Sequence, residues 1–245
     1  MEALGRFYGI GVGPGERGLI PLAAWETLQQ CDVIFAPRAQ SARTSVARDC
    51  LPPGVIPDER FREIEFQMDP DRTVLREHYG RLAQQIAGEL RGGRDVGYLT
   101  IGDPLTYSTY RYTLAALQDC LPGLRHRTFP GVTSYCALAA ATDFGLGEGK
   151  ERVLILPCPE SMAELRRAIE DHDVIVLMKV GARLAAVLDL LRELGILDHC
   201  AFGSRVGLPE ERIARNAGGF GSLTERCGYL ATLLIRKQPP AKRHA

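Results

Sequence analysis

Apolar residues alternate along most of the chain between short continuous runs and repeats of helical spacing. Arg6 to Val12 has the length and apolar density of a buried strand, and Leu19-Ile-Pro-Leu-Ala-Ala-Trp-Glu-Thr-Leu28 has helix periodicity. Cys31-Asp-Val-Ile-Phe-Ala36 then reads as a second strand, which completes a βαβ unit. Leu75, Tyr79, Leu82, Ile86 and Leu90 predict a helix that Asp69 or Asp71 can cap and Gly92-Gly93 stops. Asp95 to Ile101 is a further strand, broken at its carboxyl end by Gly102-Asp103-Pro104.

Past Cys120-Leu-Pro-Gly-Leu124 the texture changes. A short strand near Arg125 to Phe129 leads through Pro130-Gly131 into an alanine-rich helix from Thr133 to about Thr142. Arg152 to Leu156 and Asp173 to Val180 are β segments separated by a helix that Ser161 and Glu164 open as a capping box. Leu184 to Leu194 is amphipathic, and Cys200 to Val206 and Tyr229 to Ile235 complete the strands. The expected fold class is α/β, as two α/β domains in series, residues 1–123 and 124–245, with one ligand cleft between them.

Composition narrows the function. Thirty basic and thirty acidic residues give a formal charge of zero, where a nucleic-acid binder shows a basic excess or stripe. No apolar stretch is long enough for a membrane span and no signal peptide is legible, so a soluble, cytoplasmic protein is expected. Seven cysteines are scattered singly without a C-x-x-C pair, so reduced buried thiols are expected rather than disulfides or a protein-held metal.

Three loops carry the candidate chemistry. Gly9-Ile-Gly-Val-Gly-Pro-Gly15 fails the dinucleotide pattern G-x-G-x-x-G, because Glu16 or Pro14 stands where the third glycine belongs. Pro14 offers no N–H to a phosphate and presents a rigid apolar face, which suits an adenosyl or thioether group; as plain architecture the loop is a tight strand-to-helix turn. Ile101-Gly-Asp-Pro-Leu-Thr-Tyr-Ser-Thr-Tyr-Arg-Tyr112 is rich in hydroxyls and aromatics at the carboxyl end of a strand, where open α/β sheets bind ligands. There Asp103 can equally be a helix cap and the tyrosines rim packing. Phe129-Pro-Gly-Val-Thr-Ser-Tyr135 places Thr133 and Ser134 at a helix start, where an N-cap alone would explain either. With no acidic residue after the second strand to hold a ribose, but with Arg38 able to take a 2′-phosphate, an NADP oxidoreductase stays as an alternative from another class.

In this order and at these element ends, the loops resemble the tetrapyrrole methylases, S-adenosylmethionine-dependent enzymes of cobalamin and sirohaem synthesis. The resemblance runs through Val176-Leu-Met178-Lys179 and so covers most of the chain. Tyr107-Ser-Thr-Tyr110 after the Gly-Asp-Pro turn, with Met178-Lys179 and Ser204-Arg-Val-Gly207, looks like the branch that methylates C20 of precorrin-2. The form Gly-Asp-Pro-Leu-Thr-Tyr-Ser-Thr-Tyr leans toward cobalt-precorrin-2. Another precorrin position, ribosomal RNA or the diphthamide precursor are the other targets of the family, and fold alone does not separate them.

The resemblance implies S-adenosylmethionine as methyl donor, a small tetrapyrrole as substrate, and a homodimer. It carries cofactor contacts onto Pro14, Ile101, Gly102, Asp103, Thr106, Tyr107, Thr133, Ser134, Met178, Gly207 and Leu230. The substrate's carboxylates call for cations, and Arg38, Arg111 and Lys179 lie near the motif loops, with Tyr110 beside them; each cation reads equally as a solvated or locally paired charge. No catalytic base is named; Asp103, Tyr107 and Tyr110 are the candidates for removing the C20 proton.

Overall fold

The computed structural model describes residues 3–40, 42–66, 72–216, 219 and 229–238. It divides into two units, residues 1–133 and 134–245. The first runs β1 (Arg6–Gly11), α1 (Leu22–Gln30), β2 (Val33–Ala39), α2 (Val46–Asp49), β3 (Phe61–Phe66), α3 (Arg72–Arg91), β4 (Val96–Thr100), α4 (Tyr110–Cys120) and β5 (Arg125–Phe129). Its five strands form an all-parallel sheet in the order β3-β2-β4-β1-β5. Parallel strands end on one edge, so the loops after β4, β1 and β5, neighbours in the sheet though far apart in sequence, must emerge side by side.

The core explains the elements. Every residue of β4 is buried, and Leu82, Ala83, Ile86, Ala87 and Leu90 on α3 pack with Val33, Phe35, Val96 and Tyr98. Gly93, in the left-handed region at φ 76°, ends α3 at the expected place. The proposed caps Asp69 and Asp71 lie outside the described residues.

The structure corrects two expectations and adds a strand. The boundary falls at 133/134 rather than 123/124, because β5 pairs in parallel with β1, Arg6 opposite Arg125 through Ile10 opposite Phe129. The helix read from Leu19 begins only at Leu22, after a separate 3-10 turn at Arg17–Leu19, because Pro21 is accommodated at a helix start but not inside one. The edge strand β3 went unread, since Arg62, Glu63 and Glu65 break the apolar pattern of Phe61, Ile64 and Phe66.

The second unit contains α5 (Ser134–Thr142), β6 (Val153–Pro157), α6 (Met162–Asp171), β7 (Val174–Met178), α7 (Leu184–Glu193), β8 (Cys200–Ser204), β9 (Arg212–Ala214) and β10 (Ala231–Arg236). The sheet order is β6-β7-β10-β8-β9, with β6 and β7 parallel and the other pairs antiparallel. Alternate side chains serve its two faces. Ile175, Leu177, Phe202, Leu233 and Ile235 pack with α6 and α7, while Val176, Ala201 and Leu234 pack with Leu138 and Ala139 of α5. Ser161 stands at the N-cap of α6 as expected, but its side chain makes no capping hydrogen bond. Beyond the expected strand end, buried Arg236 pairs with Glu151 and donates to the Gly145 carbonyl at 2.5 Å, fixing the segment between α5 and β6.

No helix among the described residues is long and apolar enough to cross a membrane. Cys31, Cys50, Cys158 and Cys200 are buried thiols and Cys136 is exposed; Cys227 lies outside the described residues. Burial pushes the thiols of Cys31, Cys50 and Cys200 up to about 12. Iodoacetamide at pH 8 should therefore alkylate Cys136 in the folded protein while these three react only after unfolding, a difference that peptide mass mapping reads directly.

Candidate functional site

Three of the four glycines of the first loop, Gly9, Gly11 and Gly13, are explained by what approaches them. A Cβ on Gly9 would lie 2.3 Å from the Tyr110 ring. One pleat further on the same face of β1, a Cβ on Gly11 would lie 2.5 Å from the Gly131 nitrogen and 2.9 Å from the Gly102 oxygen. Gly13 accepts a 2.7 Å hydrogen bond from the Gly102 amide, an isolated antiparallel bridge between the first and second loops. The close approach that glycine permits is thus made largely by backbone of the neighbouring loops.

Asp103 joins the second loop to the third. Its Oδ2 accepts from the Gly131 amide at 3.1 Å, and its Oδ1 accepts from the Leu105 amide at 2.9 Å and the Thr106 hydroxyl at 3.1 Å. It is not a helix cap, because α4 starts only at Tyr110 with Thr109 at the N-cap. Reciprocally, a Cβ on Gly131 would lie 2.0 Å from the Gly102 oxygen and 2.9 Å from the Gly11 Cα. Gly11, Gly102, Asp103 and Gly131 therefore form one backbone junction at the carboxyl ends of β1, β4 and β5.

Around it, Pro14 and Thr133 are buried, Ile101 and Thr106 half-buried, and Tyr107 exposed. Tyr107 sits at φ 51°, a left-handed conformation that a bulky residue adopts only under constraint. Inside the junction the Thr100 hydroxyl, on the last residue of β4 opposite Gly11, is buried and has no hydrogen-bond partner among the described residues. A cavity of about 630 Å³ among the described residues of this unit is lined by Phe35, residues of β3 and residues of α3, and by none of the three loops.

Two proposed substrate contacts are placed elsewhere. Tyr110 is 0% exposed, stacked on Phe7 with ring centroids 5.9 Å apart and hydrogen-bonded with the Thr128 hydroxyl at 2.6 Å. With no exposed surface, a stacked ring and a paired hydroxyl, Tyr110 is packed as a core residue, and burial raises its phenol pKa. Tyr110→Phe should cost about 0.5–1.5 kcal/mol of stability and leave ligand binding unchanged in thermal melts run with and without ligand. Loss of turnover at unchanged stability would return Tyr110 to the reaction. Arg38 is held at 3.3 Å by Glu63 and 3.0 Å by Glu65, and donates to the Ala42 carbonyl at 2.7 Å. Strand β3 supplies both carboxylates, so this guanidinium is already engaged by its own sheet. Arg111 is exposed in the first turn of α4.

The second unit gathers its candidates at one sheet end. Met178 closes β7 opposite Thr232 of β10, and Ser134, first residue of α5, is hydrogen-bonded through Oγ with Thr232 Oγ1 at 3.1 Å. The Leu230 carbonyl, just before β10, accepts from the Arg205 amide at 2.8 Å. Gly207, at φ 75°, donates its amide to Glu211 at 2.6 Å. Lys179 adopts φ 57° with its Nζ 5.0 Å from the centre of the Tyr229 ring. The sequence signal for Thr232 is a single hydroxyl inside the apolar run Ala231-Thr-Leu-Leu-Ile235.

Residues 6–219 match the sequence profile of the Tetrapyrrole (Corrin/Porphyrin) Methylases. The chain is 29% identical over 234 residues to a cobalt-precorrin-2 C(20)-methyltransferase of Salmonella typhimurium, covering 96% of this chain and 97% of that protein. It is 29% identical over 209 residues to a precorrin-2 C(20)-methyltransferase of Sinorhizobium, covering 82% and 84%. The fold matches a cobalt precorrin-4 methyltransferase with a TM-score of 0.69 at 20% identity, over 96% of both chains. It also matches the Thermus thermophilus uroporphyrin-III C-methyltransferase complexed with S-adenosylhomocysteine, with a TM-score of 0.61 at 20% identity over 95% and 97%.

Proposed function

Because the chain belongs to the tetrapyrrole (corrin/porphyrin) methylases, we propose that it transfers the methyl group of S-adenosylmethionine to C20 of precorrin-2 or cobalt-precorrin-2 in cobalamin biosynthesis. The observation that carries the reading is the three-loop junction. Two amides that a phosphate site would leave for its ligand are taken by the protein, Gly102 by the Gly13 carbonyl and Gly131 by Asp103. A third position, Pro14, has no amide proton, and α1 does not follow the loop directly but starts at Leu22, after the 3-10 turn Arg17–Leu19. What the junction supplies is buried proline, hydroxyls and tightly packed backbone, which fits a nucleoside better than a pyrophosphate. The engagement of Arg38 with Glu63 and Glu65 removes the residue on which an NADP reading rested.

The cofactor supplies an activated methyl on a positively charged sulfur that leaves as a neutral thioether. The chain's contribution is alignment, which can lower a barrier by roughly 7–11 kcal/mol. Pro14, Ile101, Gly102, Asp103, Thr106, Tyr107 and Thr133, with Ser134, Met178, Gly207 and Leu230, are the cofactor contacts of this reading. Arg111 and Lys179 are its cations for the substrate's carboxylates. Asp103, already accepting three hydrogen bonds, is occupied as a structural acceptor. A cytoplasmic homodimer belongs to the same reading.

Calorimetry with S-adenosylhomocysteine and with NADPH separates the classes. Saturable binding of S-adenosylhomocysteine alone is expected; binding of NADPH alone would overturn the proposal.

A further inference from the structure

The second unit contains a polar pair that an apolar core does not require. Thr232 lies in β10, the central strand of the sheet, flanked by β7 and β8. It is 4% exposed and is the sole polar side chain between Ala231 and Ile235. Valine has nearly the same shape and would fill the site without burying a hydroxyl. Among the described residues the hydroxyl's one hydrogen-bond partner is Ser134 Oγ, 3.1 Å away. Ser134 is the first residue of α5, is half-buried, and sits across from the strand end that also carries Met178.

Proton bookkeeping gives this pair a direction. Each hydroxyl has one proton to donate, and burying a donor without an acceptor is costly. Either hydroxyl can donate across the 3.1 Å contact, and for Thr232, enclosed in the sheet, Ser134 Oγ is the acceptor at hand. Ser134 is less enclosed, so its own proton can turn outward. We propose that Thr232 is a positioning residue: by donating to Ser134 Oγ it fixes that hydroxyl as an outward-facing donor for an acceptor atom of the bound cofactor. The inference rests on the methyltransferase reading, in which Ser134 is a cofactor contact. The ligand itself is touched by Ser134, and Thr232 acts through it.

The test uses the full-length protein and S-adenosylhomocysteine calorimetry on wild type, Thr232→Val, Thr232→Ser, Ser134→Ala and the Ser134→Ala/Thr232→Val double variant. Thr232→Val should weaken binding about 3–10-fold, the loss of one oriented hydrogen bond, while its melting temperature stays equal to or above that of wild type. Thr232→Ser, which keeps the hydroxyl, should restore the dissociation constant. In the Ser134→Ala background, Thr232→Val should have no further effect on binding, since the group it orients is gone. In steady state, Thr232→Val should raise KM for S-adenosylmethionine more than it lowers kcat. A Thr232→Val dissociation constant equal to that of wild type, or losses that simply add in the double variant, would overturn the inference and leave the methyltransferase reading standing. Wild-type protein that binds no S-adenosylhomocysteine would overturn both.

Discussion

Gly131→Ala should abolish measurable S-adenosylhomocysteine binding, a loss of at least about 100-fold, while the protein remains folded. The added methyl would sit 2.0 Å from the Gly102 oxygen and 2.9 Å from the Gly11 Cα, and neither of these backbone atoms can swing aside like a side chain. The third loop must move away from the first two, breaking the Asp103–Gly131 hydrogen bond. Overpacking of this kind costs roughly 1–3 kcal/mol, and occasionally more; for a chain of this size that lowers the melting temperature by about 2–12 °C. Gly18→Ala is the matched control, because its Cβ would meet nothing within 4 Å. Wild-type affinity in the Gly131 variant would show that the junction does not shape the cofactor site.

Asp103→Ala carries the second large effect. It removes an acceptor from two amides and one hydroxyl at once, so the second loop loses its internal turn and its tie to the third. Hydrogen bonds to a charged group contribute about 1.5–3 kcal/mol each, less where water can replace the partner. Cofactor affinity should fall about 10–100-fold. Asp103→Asn should fall less, since its amide oxygen can still accept while its NH2 group faces a donor. In the Asn variant, a dissociation constant like that of wild type with a collapsed kcat would mean that Asp103 moves a proton in the reaction rather than holding the loops.

What could be read from the chain depended on how local its cause was. β1 and β4 are legible as apolar runs and β5 as a short segment before Pro130-Gly131, and the motif loops stand at their carboxyl ends as expected. The resemblance built on those loops agrees with the family match over residues 6–219. The fate of individual side chains was another matter, because it depended on partners remote in sequence. Tyr110 looked like a surface aromatic in a run of hydroxyls, yet Gly9, a hundred residues earlier, leaves the space in which its ring is buried. Arg38 looked available until the charged strand β3, which lacks a clean apolar alternation, brought Glu63 and Glu65 against it. The boundary moved for the same reason, since β5 takes its place by pairing with β1 more than a hundred residues away. Asp103 and Gly131 were each legible as turn residues; that one holds the other follows only from the order β4-β1-β5.

The central claim is tested most directly by a single-turnover reaction of the purified protein with methyl-labelled S-adenosylmethionine and, separately, precorrin-2 and cobalt-precorrin-2, with the label located by mass spectrometry and NMR. One methyl on C20 of at least one of the two substrates is the expected result. A methyl on any other carbon, or no transfer to either tetrapyrrole, would contradict it.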